Sequence, residues 1–524
     1  MLARPWLVAV LGLVVASPMT DRSLARAQTD RQVVFAPEEA TISGIHAALG
    51  AGAITCVQVV EAHLRRIEAY DDRVPALNAI ISINPAARET AAELDRVRTR
   101  AGAEVRPLHC IPVVLKDNFD TADMPTTGGS VTLAKSVPLR DAFVVRKLRE
   151  AGAVILAKAN LTELARGGTT VSSLGGQTRN PYDLTRTPGG SSGGTGAALA
   201  ASFAVLGTGS DTGQSVRSPA SAQALVGLRP TRGLISRTGI IPISITQDEA
   251  GPIARTVEDA ARMLDVMAGF DADDPITAFG ASRIPRTYTA FLNRDALKGA
   301  RIGVLTDFFG HDPVHQEVNA VSEDAIRTMT RAGAVIVRIT IPGLDRLTRN
   351  IQVADFEAKL AFDRYLGALG PRAPVRTFDE FFARGEFHPS LKAGLELERR
   401  LADSDVEYKS RLLRRDDLRQ AVMSVMAQNK LDAILYPHQR RLVVPIGEEQ
   451  VERNGVLSNS TGFPAITLPG GFSRATASAP VGVPVGIELL GPEWSEPTLI
   501  GLAFAFEQIA KPRRPPASTP PLRR

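Results

Sequence analysis

Two loops of small residues and one lysine offer the clearest chemistry in this chain. Residues 189–196 read GGSSGGTG, and Ser215 follows in the run SDTGQSVRSP. A serine hydroxyl attacks a carbonyl carbon only when a neighbouring base accepts its proton, and a buried, uncharged lysine can be that base. The chain has ten lysines beside 51 arginines, and Lys116 ends an apolar stretch that precedes both loops. This pattern predicts a serine nucleophile served by lysine.

The same glycines fit other sites less well. A P-loop needs a lysine directly after its glycines, and a dinucleotide-binding fingerprint needs a third glycine that neither GTGAAL nor GTGSDT supplies. A Ser-His-Asp hydrolase stays open as an alternative, because Ser191 and Ser192 each satisfy the GxSxG pattern. Its histidine would be His388 or His438. Polar, proline-containing residues precede these serines, however, where such an enzyme needs a core strand.

Metal-binding patterns are weak in this sequence. His311 and His315 are four residues apart, but the intervening Asp312-Pro313 is typical of a helix N-terminus, so the two rings do not share a helix face. We interpret both as surface histidines and predict no metal site. Cys56 and Cys110 lack the Cys/His clustering of metal sites, and either a disulfide or two free thiols would suit them.

The elements that must position these residues alternate between helices and strands. Apolar residues form a short strand that ends at Lys116, and Thr55 with Gln58 has the spacing of a capping box at a helix start. Residues 349–430 are mostly helical, and no long linker divides the chain, so we predict one α/β domain (28–510) with a helical insertion. The predicted helices include 55–71, 86–100, 313–332 and 496–510, and the predicted strands include 107–118, 334–340, 432–437, 464–471 and 484–492.

Both ends of the chain differ from its centre. Residues 1–27 combine Arg4, an apolar run too short to span a bilayer, and an Ala-x-Ala site. These features predict a cleaved signal peptide and an exported, periplasmic or secreted protein without stable membrane insertion. The tail at 511–524 is proline-rich, and its five basic residues equal the whole formal net charge of +5. The charge therefore predicts a loosely packed tail and no nucleic-acid partner.

The region 189–220 closely resembles the signature of the amidase signature family. The likeness extends over about 35–512 and includes IPVVLKDNFDT around Lys116 and NSTGFPAITLPGGF near the end of the chain. It implies the fold of that family, a mixed, twisted β-sheet sandwiched by helices. The signature positions that the chain satisfies are Gly194, Gly207, Gly209, Asp211, Gly213, Ser215, Arg217 and Pro219.

The resemblance also implies roles for individual residues. Members of the family use a Ser–cis-Ser–Lys triad, in which Ser215 would be the nucleophile, Ser191 the bridging serine and Lys116 the base. Backbone N–H groups of the second loop would stabilise the oxyanion, and further residues would shape the two loops. The implied oxyanion donors are Thr212, Gly213, Gln214 and Ser215, and the loop-shaping residues are Gly190, Ser192, Asp211 and Arg217.

The implied activity is that of an amidase, which converts a carboxylic acid amide to the acid and an amine or ammonia through an acyl-serine. Small-molecule amides would be its substrates, esters and carbamates its side substrates, and neither a metal nor a cofactor takes part. Export would argue against a transamidation role on charged transfer RNA. Gln214 stands where many members have glycine, and a positive φ there would strain the loop. A catalytically inactive binding homologue stays open, as does the oligomeric state.

Overall fold

The computed structural model describes residues 35–98 and 105–522, so the predicted signal peptide at 1–27 lies outside the described residues. The strands are β1 Ile80–Ile83, β2 Pro112–Lys116, β3 Val154–Ala159, β4 Val171–Ser172, β5 Gly176–Gln177, β6 Leu206–Asp211, β7 Val226–Arg229, β8 Glu249–Ala254, β9 Arg301–Leu305, β10 Val335–Ile339, β11 Ala433–Pro437, β12 Ala465–Phe472 and β13 Pro484–Leu490. The helices are α1 Ile42–Gly50, α2 Cys56–Tyr70, α3 Ala87–Arg98, α4 Phe143–Glu150, α5 Gly193–Ala200, α6 Arg217–Ala222, α7 Val257–Met267, α8 Gln316–Arg331, α9 Leu344–Thr348, α10 Ala354–Leu369, α11 Phe378–Arg384, α12 Lys392–Glu398, α13 Val406–Asn429, α14 Val456–Thr461 and α15 Glu496–Ala510.

One large mixed sheet organises the part of the chain that the structure describes. Its eleven strands follow the order β1-β3-β2-β6-β8-β7-β12-β13-β11-β9-β10, and β4 and β5 form a separate hairpin. The pairs among β3, β2 and β6 and among β11, β9 and β10 are parallel, whereas the remaining pairs of the large sheet are antiparallel. Strands β2, β3, β6 and β13 are buried along their whole length, as expected where helices cover a sheet. The mixed α/β fold predicted from the sequence is confirmed.

Helix α5 packs against β2 and β6, and its glycines allow a close approach. All eight residues of the helix, GGTGAALA, are buried. The N–H of Gly194 donates to the carbonyl oxygen of Asn160 at 3.1 Å. A Cβ at this position would lie 2.2 Å from that oxygen and 2.7 Å from the carbonyl oxygen of Ala79, so only glycine fits here.

The first long helix starts as the sequence predicts. Gln58 N donates to Thr55 Oγ1 at 3.1 Å, and Thr55 N donates to Gln58 Oε1 at 2.9 Å, which together form the capping box of α2. Cys56, the first residue of this helix, is joined by a disulfide to Cys110, two residues before β2. The disulfide therefore connects α2 to the segment that leads into the Lys116 strand.

The C-terminal tail is held against the domain, so the prediction of loose packing is wrong for the residues described here. Arg513 makes two hydrogen bonds to the carboxylate of Glu39, at 2.6 and 2.7 Å, and donates to the carbonyl oxygen of Ala224 at 2.8 Å. The Tyr182 hydroxyl donates to the carbonyl oxygen of Arg514 at 2.6 Å. Composition could not reveal these contacts, because their partners lie hundreds of residues earlier in the chain.

Helices α10 to α13 lie within the predicted helical insertion at 349–430, and α10 packs against α11 and α12. Their aromatic residues Phe362, Phe378 and Phe381 form an apolar cluster with Leu133 and Ile241 from the main domain. No helix among the described residues is both long and apolar enough to cross a bilayer.

We expect Gly194→Ala to lower the free energy of unfolding by about 1–3 kcal/mol, because the added methyl group overlaps two carbonyl oxygens. Gly367→Ala is the matched control, since a Cβ at Gly367 in α10 meets no atom within 4 Å. That replacement should instead stabilise the protein by up to about 1 kcal/mol. Urea unfolding of both variants checks this, and equal midpoints for the two would contradict it.

Candidate active site

The ends of two neighbouring parallel strands place Lys116 close to the start of the Ser215 loop. Lys116 is the last residue of β2 and Asp211 the last of β6, and the two strands pair with Val114 opposite Gly207. Lys116 N also donates to Thr208 Oγ1 at 3.1 Å. Because parallel strands end at the same edge of a sheet, the residues that follow β6 lie beside Lys116.

The Lys116 side chain is fully buried (0% exposed) and contacts hydroxyl groups. Its Nζ lies 2.8 Å from Ser191 Oγ, 2.8 Å from Ser210 Oγ and 3.2 Å from the carbonyl oxygen of Ser210. Burial lowers the pKa of Lys116 to about 7, although the carboxylates of Asp211 and Asp248 oppose this shift. About half of the lysine population is therefore uncharged at neutral pH.

The loop that carries Ser191 is shaped by close backbone contacts. The peptide bond between Gly190 and Ser191 is cis. The carbonyl oxygen of Ser191 accepts a hydrogen bond from Thr162 N at 3.0 Å. A Cβ on Gly190 would lie 2.7 Å from the carbonyl carbon of Gly168, which explains a glycine here. Ser192 precedes α5, and its buried hydroxyl has no hydrogen-bond partner among the described residues.

The loop that carries Ser215 presents backbone N–H groups. Within residues 35–98 and 105–522, none of the N–H groups of 212–215 donates a hydrogen bond to another protein atom. The neighbouring carbonyl oxygens are held in place, since Gln247 Nε2 donates to Thr212 O at 3.2 Å and Asn459 Nδ2 donates to Gly213 O at 3.0 Å. A loop with fixed carbonyls and available N–H groups can bind a negatively charged oxygen.

Gln214 fits this loop without backbone strain. Its φ is not positive, so the strain expected if this position required a glycine conformation does not arise. The side-chain amide of Gln214 is oriented with its oxygen towards hydrogen-bond donors. Gln214 Oε1 accepts hydrogen bonds from Arg453 Nε at 2.6 Å and from Arg453 Nη1 at 3.1 Å. The side chain thus turns towards Arg453.

A buried network of charges supports the Ser215 loop from behind. Arg217 donates to Asp211 Oδ2 at 3.1 Å and to Glu488 Oε1 at 2.7 Å, and Arg229 donates to Asp211 Oδ1 at 3.0 Å. Arg217 Nη2 also donates to Gly213 O at 2.6 Å. Despite burial, the two arginines hold the pKa of Asp211 well below its usual range, so its carboxylate stays ionised.

Ser215 and Gln214 line a cavity of about 400 Å³. Ser215 is 8% exposed, and its hydroxyl has no hydrogen-bond partner among the described residues. Residues from the helical insertion form part of the wall, and an ion pair between Arg166 and Glu398, 2.9 Å between Nε and Oε1, lies there. The other lining residues include Gly167, Thr212, Gly213, Ile243, Gln247, Gln352, Ala354, Asp355, Leu391 and Arg453.

The alternative serine–histidine arrangement finds no support in this geometry. His438 is buried with its Nδ1 2.6 Å from Glu488 Oε2, and His388 Nδ1 lies 2.8 Å from Ser390 Oγ. Neither histidine bonds to Ser191 or to Ser192 in the described part of the chain.

One histidine prediction needs correction. His315 is buried rather than on the surface; its Nδ1 accepts from Asp312 N at 3.0 Å and its Nε2 lies 3.0 Å from Glu452 Oε1. This local contact closes the turn that begins at Asp312-Pro313. His311 is exposed, as predicted.

Several residues that bond to the site residues and position them were not predicted from the sequence. Ser210 lies directly before Asp211, and its position at the end of the same strand was the available signal. Gln247, Asn459 and Glu488 reach the site from distant segments, and no local pattern marks them.

Comparison with known proteins agrees with this architecture. A family model described as Amidase matches residues 58–500. The crystal structure of peptide amidase from Stenotrophomonas maltophilia superposes with a TM-score of 0.82 and 36% sequence identity, covering 91% of this chain and 98% of that chain. A probable amidase of Arabidopsis thaliana is 35% identical over 92% of both chains. A glutamyl-tRNA(Gln) amidotransferase subunit of Halorhodospira halophila is 35% identical over 90% of this chain and 97% of its own length.

These relatives correct the prediction of a secreted, periplasmic enzyme with a signal peptide. The amidotransferase subunit matches nine-tenths of the chain, and the substrate in its name is a transfer RNA, a molecule of the cell interior. The prediction also rested on residues outside the described part of the chain. The prediction combined Arg4, a short apolar run and an Ala-x-Ala site, which are local patterns that do not by themselves establish export.

The fold, the two glycine-rich loops and the match over most of the chain agree with one another. The protein belongs to the amidase signature family.

Proposed function

We propose that the protein hydrolyses carboxylic acid amides through an acyl-serine intermediate on Ser215. The observation that carries this proposal is the 2.8 Å contact between Lys116 Nζ and Ser191 Oγ, made by a fully buried lysine whose pKa is lowered to about 7. A lysine in this state accepts a proton from the serine hydroxyl at neutral pH. The unbonded N–H groups at 212–215 supply the matching oxyanion site.

The chemistry follows from this arrangement. Uncharged Lys116 takes the proton of Ser191, which takes the proton of Ser215 as the Ser215 oxygen bonds to the substrate carbonyl carbon. The oxyanion that forms accepts hydrogen bonds from the loop N–H groups. Lys116 returns its proton through Ser191 to the amide nitrogen as the C–N bond breaks, so the amine leaves uncharged. Water then attacks the acyl-serine by the same relay, which releases the acid and restores Ser215.

The cavity supports small-molecule amides as the substrates. Its volume of about 400 Å³ suits a group of peptide or aryl size, and its wall includes residues from the helical insertion at 349–430. We propose that this insertion sets the acyl specificity and that esters and carbamates are side substrates, since the same nucleophile attacks their carbonyl groups. The relay passes each proton between serine and lysine and calls for no cofactor.

A second candidate is cleavage of glutamine as part of a transamidating complex. It is favoured by the 35% identity to the amidotransferase subunit over 90% of the chain. Purified protein should be incubated alone with glutamine, an aryl amide and a peptide amide, with release of ammonia or amine as the readout. We expect release from an aryl or peptide amide. Ammonia release from glutamine but from neither other amide, observed only after the other subunits of such a complex are added, would favour the second candidate.

We expect a fluorophosphonate probe to form its adduct on Ser215, because this serine lines the cavity and is part of the loop with the available N–H groups. Lys116→Ala should slow labelling by about 10²–10⁴-fold, the usual contribution of a general base. His388→Ala is the control and should label at the normal rate. Peptide mass mapping locates the adduct, and one found on Ser192 instead of Ser215 would refute the assignment.

The lowered pKa of Lys116 predicts a pH dependence of amide hydrolysis. The base acts when uncharged, so kcat/KM should rise through pH of about 7 and level off above it. At one pH unit below the pKa only about a tenth of the lysine is uncharged, and the rate should fall about tenfold. Lys116→Arg keeps its charge at every accessible pH and should be inactive throughout. A wild-type profile that stays flat between acidic and alkaline pH would contradict the role of Lys116.

A further inference from the structure

A second cavity, of about 510 Å³, lies apart from the catalytic one. It is lined by residues of α13, by Ser460–Gly462 at the end of α14, and by side chains from the loops around Arg232 and Trp494. The residues that line it differ from those that line the cavity at Ser215. It is therefore a separate candidate site.

The charge in this cavity is unbalanced. Four arginines and two acidic residues line it, and one ion pair among them joins Arg419 Nη2 to Glu493 Oε2 at 2.6 Å. Within the described residues, the side chains of Arg232 and Arg283 have no hydrogen bond or ion pair, and Arg232 Nε is buried. A guanidinium group that leaves water without an anionic partner is unfavourable, so an anion from solution would stabilise Arg232. The exposed Arg283 adds a second positive charge for that anion.

Neighbouring acidic groups do not remove this imbalance. Glu249 and Glu357 act electrostatically on Arg232. Burial raises the pKa of Glu249 to about 8, which favours its uncharged form. The Glu357 carboxylate accepts hydrogen bonds from Ser244, Thr246 and Tyr408. Asp416 accepts a hydrogen bond from Gln420 at 2.8 Å and makes no ion pair among the described residues. Arg415 bonds to neutral acceptors.

Apolar residues also line the cavity. They are Trp494, Ile276 and Phe279, and Phe279 is 73% exposed. Arginines and aromatic rings in the lining of one cavity match a ligand with an anionic head and a flat apolar body. We infer that this cavity binds a small aromatic or apolar carboxylate, distinct from the substrate bound at Ser215.

Arg415 connects this cavity to the nucleophile loop. Its Nη1 donates to Gln247 Oε1 at 3.0 Å and its Nη2 donates to Asn459 O at 2.7 Å. Gln247 and Asn459 in turn donate to the carbonyl oxygens of Thr212 and Gly213. A carboxylate that pairs with Arg415 competes with these neutral acceptors and loosens the oxyanion loop, so the bound anion lowers kcat. This second part of the inference rests on the proposed amidase activity.

The chain offers a local probe of binding. It has two tryptophans, Trp6 and Trp494, so a Trp6→Phe protein has its remaining tryptophan in the cavity wall. Titration of this protein with benzoate should change its fluorescence and saturate. Benzyl alcohol, which has the ring without the charge, should give no saturable change.

Arginine variants locate the site. Arg232→Ala and Arg283→Ala should each weaken benzoate binding by about tenfold, the usual effect of losing one charge-assisted hydrogen bond. Arg283 is exposed, so its replacement leaves folding intact even where Arg232→Ala does not. Arg286→Ala removes an exposed charge that does not line the cavity and should leave the affinity unchanged. Unchanged affinity in both cavity variants would overturn the inference.

Kinetics separate this site from the catalytic cavity. Benzoate should lower kcat on an amide substrate without raising KM, and Arg283→Ala should relieve this inhibition. Competitive inhibition, together with loss of the fluorescence change after the fluorophosphonate has blocked Ser215, would place benzoate at the catalytic cavity and overturn the inference. If no amide is hydrolysed, the fluorescence titration still tests the binding site independently of the proposed function.

Discussion

The burial of Lys116 with hydroxyl partners is the interaction on which the rest of the site depends. Lys158 on the adjacent strand is equally buried, but its Nζ lies 3.0 Å from the Asp117 carboxylate and is held as half of an ion pair. Lys116 contacts Ser191 and Ser210 instead. Without a carboxylate in contact, desolvation outweighs the attraction of more distant acids and favours the uncharged amine. Two buried lysines on neighbouring strands thus differ in their partners, which are a carboxylate for Lys158 and hydroxyl groups for Lys116.

Among the described residues, Lys116 has no carboxylate in contact because nearby carboxylates form ion pairs with other residues. Asp211 is one example, because it directly follows Ser210, and Arg217 and Arg229 both bind it. Arg217 also forms an ion pair with Glu488, and Glu488 accepts a second hydrogen bond from the Tyr436 hydroxyl at 2.8 Å. The buried ions therefore compensate one another beside the loop, whereas burial without a carboxylate in contact favours the uncharged form of Lys116. A well-bonded network of this kind also fixes the loop geometry, because each member has a defined partner.

The sequence allowed the mixed α/β fold and the family to be predicted, because the glycine pattern around residues 189–220 is dense and specific. The capping box was predictable from two residues alone, Thr55 and Gln58. Contacts of Gln247, Asn459 and Arg513 were not predictable, since each depends on a partner brought close only by the folded sheet. The tail shows this limit clearly. Its composition is typical of a loosely packed chain, yet the Glu39 carboxylate, the Ala224 carbonyl oxygen and the Tyr182 hydroxyl bind it.

The position of the last strands in the sheet has a consequence for how the protein is made. Strands β12 and β13 are among the last elements in the chain, yet they join β7 on one side to β11 on the other. Until they are synthesised, the strands made earlier form two separate groups with exposed edges. Arg513, which binds Glu39 near the start of the described chain, is made later still. The nascent protein therefore completes its sheet, and forms the contact between Arg513 and Glu39, only late in synthesis. Its unpaired strand edges need protection from aggregation until then.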